Sequence, residues 1–165
     1  MFTTFKKSCK KLIFPLFVVI FTIGALSGCG SKKATTKTPS IKEISTKIEQ
    51  AIDTSGMKIA DANKLEKLYK INSDEVEEFV LYAPASNIKA NEIVLIKVKD
   101  ANKVNEIKEK VSKRVENQST SFKDYLPNEY ALIEKHVLKV NGNYILLAIS
   151  KDTEKIEKIF DESFK

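Results

Sequence analysis

The sequence predicts an α+β domain in which a four-stranded, mainly antiparallel sheet carries helices on one face, a two-layer sandwich, preceded by an export leader. Three observations predict it. Apolar stripes at three- and four-residue steps alternate with short β-branched runs. The pair Asn141-Gly142 stands between two such runs, as in a tight hairpin. The other strand connections are hairpin-like or the length of a helix, which suits one antiparallel sheet covered by helices.

Taken in order, Ser40-Ile41-Lys42-Glu43 has the spacing of a capping box, and Ile41, Ile44, Ile48 and Ile52 then form one stripe with Lys42, Lys47 and Glu49 outside. A helix is expected from Ser40 to about Asp53, broken near Ser55-Gly56. A shorter helix is expected from Asp61 to Tyr69, with Leu65, Leu68 and Tyr69 inward. Glu77 to Ala83 is aromatic and β-branched and halts at Pro84, which reads as a strand; a helix starting at Ser73 is the alternative. Ile93 to Lys99 reads as a second strand, with Val94, Ile96 and Val98 on one face and Lys97 and Lys99 on the other.

Asp100 is a suitable cap for the clearest helix in the chain, striped by Val104, Ile107, Val111 and Val115 and expected to end before Phe122. Pro127 suits the first position of a short helix toward Glu134. Val137 to Val140 and Asn143 to Ser150 flank Asn141-Gly142, the dipeptide best suited to a type I′ turn. Asp152 is expected to cap a last helix with Ile156, Ile159, Phe160 and Phe164 inward.

Ahead of the domain, Lys6, Lys7, Lys10 and Lys11 precede an apolar run from Leu12 to about Leu26 and then Leu26-Ser27-Gly28-Cys29. That is the order of an export signal. The run of about 15 residues is short of the ~20 that span a ~30 Å hydrocarbon layer as a helix. Leu26-Ser27-Gly28-Cys29 resembles the lipobox of bacterial lipoproteins, which implies diacylglyceryl transfer to the Cys29 thiol and cleavage between Gly28 and Cys29. Small Ser27 and Gly28 leave the backbone open to a protease, and cysteine alone offers a thiol to alkylate. Two acyl chains anchor stably, at about 0.8 kcal/mol per buried methylene. The expected organisation is a removed signal peptide over 1–28, a lipidated cysteine and flexible tether over 29–39, and a single domain over 40–165. The Ser-, Thr- and Lys-rich tether reaches roughly 18 Å as a flexible coil. Lys32, Lys33 and Lys37 are placed to meet anionic head groups or simply to stay solvated.

The charge balance follows from the leader. Four of the 28 basic residues lie in it, leaving 24 against 22 acidic, a net of +2 on the expected mature chain. Such intermixed charge is the surface of an ordinary domain, and nucleic-acid binding is not expected. Cys9 leaves with the leader and Cys29 carries lipid, so no disulfide is expected.

Chemistry-bearing residues are few. One histidine, His136, and no unmodified cysteine give no zinc site of the usual kind. Gly30, Gly56 and Gly142 are too far apart for a phosphate loop. His136 has Ser119, Ser121 and Ser150 as formal partners, none in a nucleophile-elbow sequence. Asp74, Glu75, Glu77 and Glu78 lack the alternating pattern of a calcium loop. Arg114 stands out as the sole arginine beside 27 lysines. Its planar fork grips a carboxylate or phosphate at two points, which an ammonium does not. It is the candidate for an ion pair, with Glu92 or Asp124 as partner, or for an anion site. Phe122, Tyr125 and Tyr130 around Pro127 are the candidate surface aromatic patch.

Arg114-x-x-x-Gln118-x-x-x-Phe122-x-x-Tyr125-x-Pro127, then Gly142-Asn143-Tyr144, with Tyr82-Ala83-Pro84 and Glu92-Ile93 upstream, resembles bacterial lipoproteins of the domain of unknown function 4358 family, common in Gram-positive anaerobes. The likeness spans roughly Leu65 to Phe164. It supports an extracytoplasmic location and the extent of the domain, and brings no established activity, cofactor or catalytic residue to carry over. The expected role is a non-enzymatic interaction or ligand-binding module of the cell envelope, held to the membrane by its lipid and facing an envelope protein or glycan. The rivals are an envelope hydrolase and an accessory subunit of a membrane complex. No cofactor is expected beyond the diacylglyceryl lipid on Cys29.

Overall fold

The computed structural model describes residues 38–165, so the leader, Gly28, Cys29 and most of the tether lie outside the described residues. The elements in chain order are α1 (Ile41–Ala51), β1 (Met57–Ala60), α2 (Ala62–Tyr69), β2 (Val76–Pro84), β3 (Glu92–Val98), α3 (Val104–Phe122), α4 (Pro127–Glu134), β4 (Val137–Asn141), β5 (Tyr144–Ile149) and α5 (Thr153–Glu162). Single turns of 3₁₀ helix, Ser73–Glu75 and Ala101–Lys103, lead into β2 and α3. Among the described residues no helix is long and apolar enough to cross a membrane.

The sheet has five strands, not four, in the order β1-β2-β3-β5-β4, and every neighbouring pair is antiparallel. The additional strand, β1, holds Met57 against Pro84 and Ala60 against Leu81. Four residues at an edge carry no alternation a sequence reader can use; β2 defines them as a strand.

Helices cover both faces, which corrects the expected two-layer arrangement. Residues of α2, α3 and α4, among them Leu65, Ile107, Val111 and Ile133, pack with Leu81, Val94, Ile96, Val98, Ile145 and Leu147. On the opposite face Ile41, Ile44 and Ile48 of α1 and Ile156 and Phe160 of α5 pack with Tyr82, Ile93, Leu95, Leu146 and Ala148. The reason is visible in β3 and β5. Ile93–Ile96 and Ile145–Ile149 are unbroken apolar runs, and a strand that is apolar on both sides needs cover on both. Val94, Ile96 and Val98 do share a face; the opposite one carries Ile93 and Leu95 as well as Lys97.

The capping box at α1 forms, with Ser40 Oγ accepting from the Glu43 amide at 3.1 Å and Glu43 Oε2 from the Ser40 amide at 3.3 Å. Glu78 of β2 accepts from the Ile41 amide at 2.8 Å. Just before the helix the buried Tyr144 hydroxyl donates to the Pro39 carbonyl at 2.7 Å. α3 runs through Phe122 rather than stopping short of it, because Phe122 continues the stripe of Val111 and Val115 into the core. At the hairpin Asn141 pairs with Tyr144, so Gly142 and Asn143 form the turn. Gly142 has φ +56° while Asn143 keeps a negative φ, the II′ pattern in place of the expected I′.

Candidate functional site

Glu92 opens β3 on the face of Val94, Ile96 and Val98, yet it is a carboxylate with 0 % exposure. Burying a charge is tolerated only with partners, and two elements supply them. From α3, Arg114 Nε donates to Glu92 Oε1 at 3.0 Å and Nη2 to Oε2 at 2.7 Å, a two-point grip. One turn on, Gln118 Nε2 donates to Oε2 at 3.0 Å. From the end of α2, the Tyr69 hydroxyl donates to Oε1. Burial opposes the charge on Arg114, but the hydrogen bonds and negative charge of Glu92 outweigh it and raise its pKa. Burial and then the Glu92 charge push the Tyr69 hydroxyl well above the usual tyrosine range.

These contacts orient Gln118. Turning its amide over would set Oε1 against the Glu92 carboxylate, so Nε2 must face Glu92 and Oε1 must face away. Oε1 then has no hydrogen-bond partner among the described residues, although Gln118 is only 3 % exposed. An unsatisfied buried acceptor costs roughly 1–3 kcal/mol.

A cavity of about 240 Å³ lies against this cluster, with Lys64, Asn87, Lys89, Arg114, Gln118 and Ser121 as its polar lining and Leu68, Pro84 and Phe122 as its apolar lining. Among the described residues neither a carboxylate nor the histidine lines it. Glu129 balances Lys89 at 2.7 Å and also accepts from the Ala90 amide at 2.9 Å. Glu92 balances Arg114. Lys64 forms no ion pair among the described residues. The lining therefore carries one uncompensated positive charge.

The remaining candidates are dispersed. Asp124, the alternative partner for Arg114, is exposed and unpaired among the described residues. Phe122 is buried and Tyr130 packs against the core, so only Tyr125, 82 % exposed, is a surface aromatic; the three do not make one patch. His136 Nδ1 lies 2.7 Å from the Ile133 carbonyl, and the Ser121 hydroxyl donates to the Asn117 carbonyl. Of the acidic run, Glu75 binds Lys110, Glu77 binds Lys97 and Glu78 caps α1. Among the described residues no group of three or more metal-ligating side chains converges.

Sequence reasoning did not single out Tyr69, Gln118, Lys64, Asn87 or Lys89 as site residues. For one of them a signal was present: Gln118 falls on the stripe Val111-Val115-Phe122. A polar side chain on an apolar stripe marks a buried partnership. Asn87 and Lys89 sit in the β2–β3 loop, which carries no such periodicity.

The model of one family, described as Domain of unknown function (DUF4358), matches residues 50–150. That span contains every residue of the buried cluster and of the cavity lining. Comparison with curated proteins returns no match, and neither does comparison with solved structures.

Proposed function

Because the chain belongs to the family called domain of unknown function 4358, whose description carries no activity, we propose a role from its chemistry: a lipid-anchored, extracytoplasmic module that binds a small anionic ligand in the basic cavity beside Arg114. The observation that carries the binding role is the uncompensated charge of Lys64 at a cavity with no acidic lining. Arg114 and Lys89 are held in place by Glu92 and Glu129, so little side-chain entropy is lost when a ligand arrives. A hydrolase reading lacks comparable support. Glu92 spends its oxygens on Arg114, Gln118 and Tyr69, and the cavity lining offers no general base.

The anchor rests on the lipobox-like Leu26-Ser27-Gly28-Cys29 and the basic and apolar segments before it. Cys29→Ser is expected to leave a larger, unprocessed precursor that no longer takes up labelled fatty acid; a processed or labelled variant overturns the anchor. For the cavity, titration calorimetry of the full chain in detergent with acetate is expected to give saturable, salt-sensitive binding. Lys64→Glu is expected to weaken it at least about tenfold, since a reversed charge now opposes the anion. Equal binding by both proteins overturns the cavity as the site.

A further inference from the structure

We infer that the cavity selects a monocarboxylate that carries an O–H or N–H donor beside its charge, a hydroxy acid being the simplest case. This rests on the anion-binding reading above and deepens it. Two observations specify the ligand. First, the lining carries a single positive charge in excess, that of Lys64, because Glu92 and Glu129 already neutralise Arg114 and Lys89. One negative charge completes the balance, whereas a phosphate dianion leaves a surplus inside a partly enclosed space.

Second, Gln118 is a wall residue whose carbonyl oxygen is turned away from Glu92, buried and without a partner among the described residues. That oxygen accepts and does not donate. A second acceptor on the ligand gains nothing from it; an O–H or N–H satisfies it. Because the oxygen is shielded from solvent, a donor that reaches it after a small side-chain shift meets little competition from water. Lys64 and Gln118 line the same cavity, so a ligand whose donor neighbours its carboxylate addresses the free charge and the free acceptor together.

Glycolate and methoxyacetate test this directly. They share a carboxylate and differ in whether the neighbouring oxygen carries a proton or a methyl group. Calorimetry on the full chain in detergent is expected to find glycolate about tenfold tighter, the worth of one hydrogen bond to an otherwise unsatisfied acceptor. Inorganic phosphate is expected to bind more weakly than glycolate. In Gln118→Met the tenfold difference is expected to collapse; should that variant fail to fold, the matched pair on the unaltered chain decides alone. Equal binding of the two acids means that a trapped water satisfies the oxygen, and overturns the donor rule while leaving the anion site standing. Tighter phosphate binding overturns the monoanion rule. Binding of none of the three defeats the anion-site reading and this inference together.

Discussion

Glu92 gathers Arg114, Gln118 and Tyr69 on one buried carboxylate. Removing its principal partner, as in Arg114→Ala, leaves a fully buried anion with only Gln118 and Tyr69, and is expected to lower unfolding free energy by about 3–5 kcal/mol in a denaturant titration. Arg114→Lys keeps the charge and loses the second point of contact, so its expected loss is smaller, about 1–2 kcal/mol. An unchanged melting temperature in Arg114→Lys would show that the fork geometry is dispensable. Alkali tests the same cluster. The folded-state pKa of Tyr69 is raised above its ordinary value of 10.0, by burial and then by Glu92. A raised acid contributes stability that is complete below the unfolded value and lost as pH climbs above it. Stability is therefore expected to decline above about pH 10, and Tyr69→Phe to flatten that decline while lowering stability at neutral pH. At this scale the sequence disclosed Arg114 by its singularity and offered Glu92 as a partner, but not Tyr69, whose place on an apolar stripe reads as ordinary core.

Single elements show which local rules governed the fold. The capping box of α1, the proline at the head of α4 and the stripes of α1 and α3 were legible because each is set by neighbours three or four residues away. Strand β1 was not, because β2, a partner distant in the chain, defines it; the double covering was signalled by the unbroken apolar runs of β3 and β5, which four expected strands with one covered face left unused. The β4–β5 turn lies between. A tight hairpin was legible at Asn141-Gly142, but register placed the glycine first in the turn rather than second. A Cβ at Gly142 would meet nothing within 4 Å, so the strain of Gly142→Ala is confined to its positive φ. The expected loss is about 1–2 kcal/mol by thermal denaturation. Lys70, which ends α2 with φ 59°, is the reverse case. Lys70→Gly is expected to stabilise by about 0.5–1 kcal/mol, the usual gain at a left-handed helix end.

Across the whole domain, acid and alkali act on different connections. In Glu75 burial raises the carboxyl, but hydrogen bonds from Lys110 and the Asn72 amide outweigh it and hold the group below its ordinary 4.5. Glu129 is lowered in the same manner by Lys89 and the Ala90 amide. Depressed carboxyls contribute stability that is complete above the unfolded value and lost as pH falls through the folded one. Glu75 joins the lead-in to β2 with α3, and Glu129 joins α4 with the β2–β3 loop. Below about pH 4.5 the helices on this face are expected to loosen first, seen as faster amide exchange in α3 and α4 than in α1.

The Tyr144 hydroxyl that clasps the Pro39 carbonyl belongs to β5, which is flanked by β3 and β4. A pull on the chain ahead of Pro39 is thus carried in part to an interior strand and not to a margin of the sheet. Tyr144→Phe releases the clasp and shifts the load to α1. Under force spectroscopy from the N-terminal side, that variant is expected to yield at lower force while its melting temperature falls by no more than one hydrogen bond implies, about 1 kcal/mol.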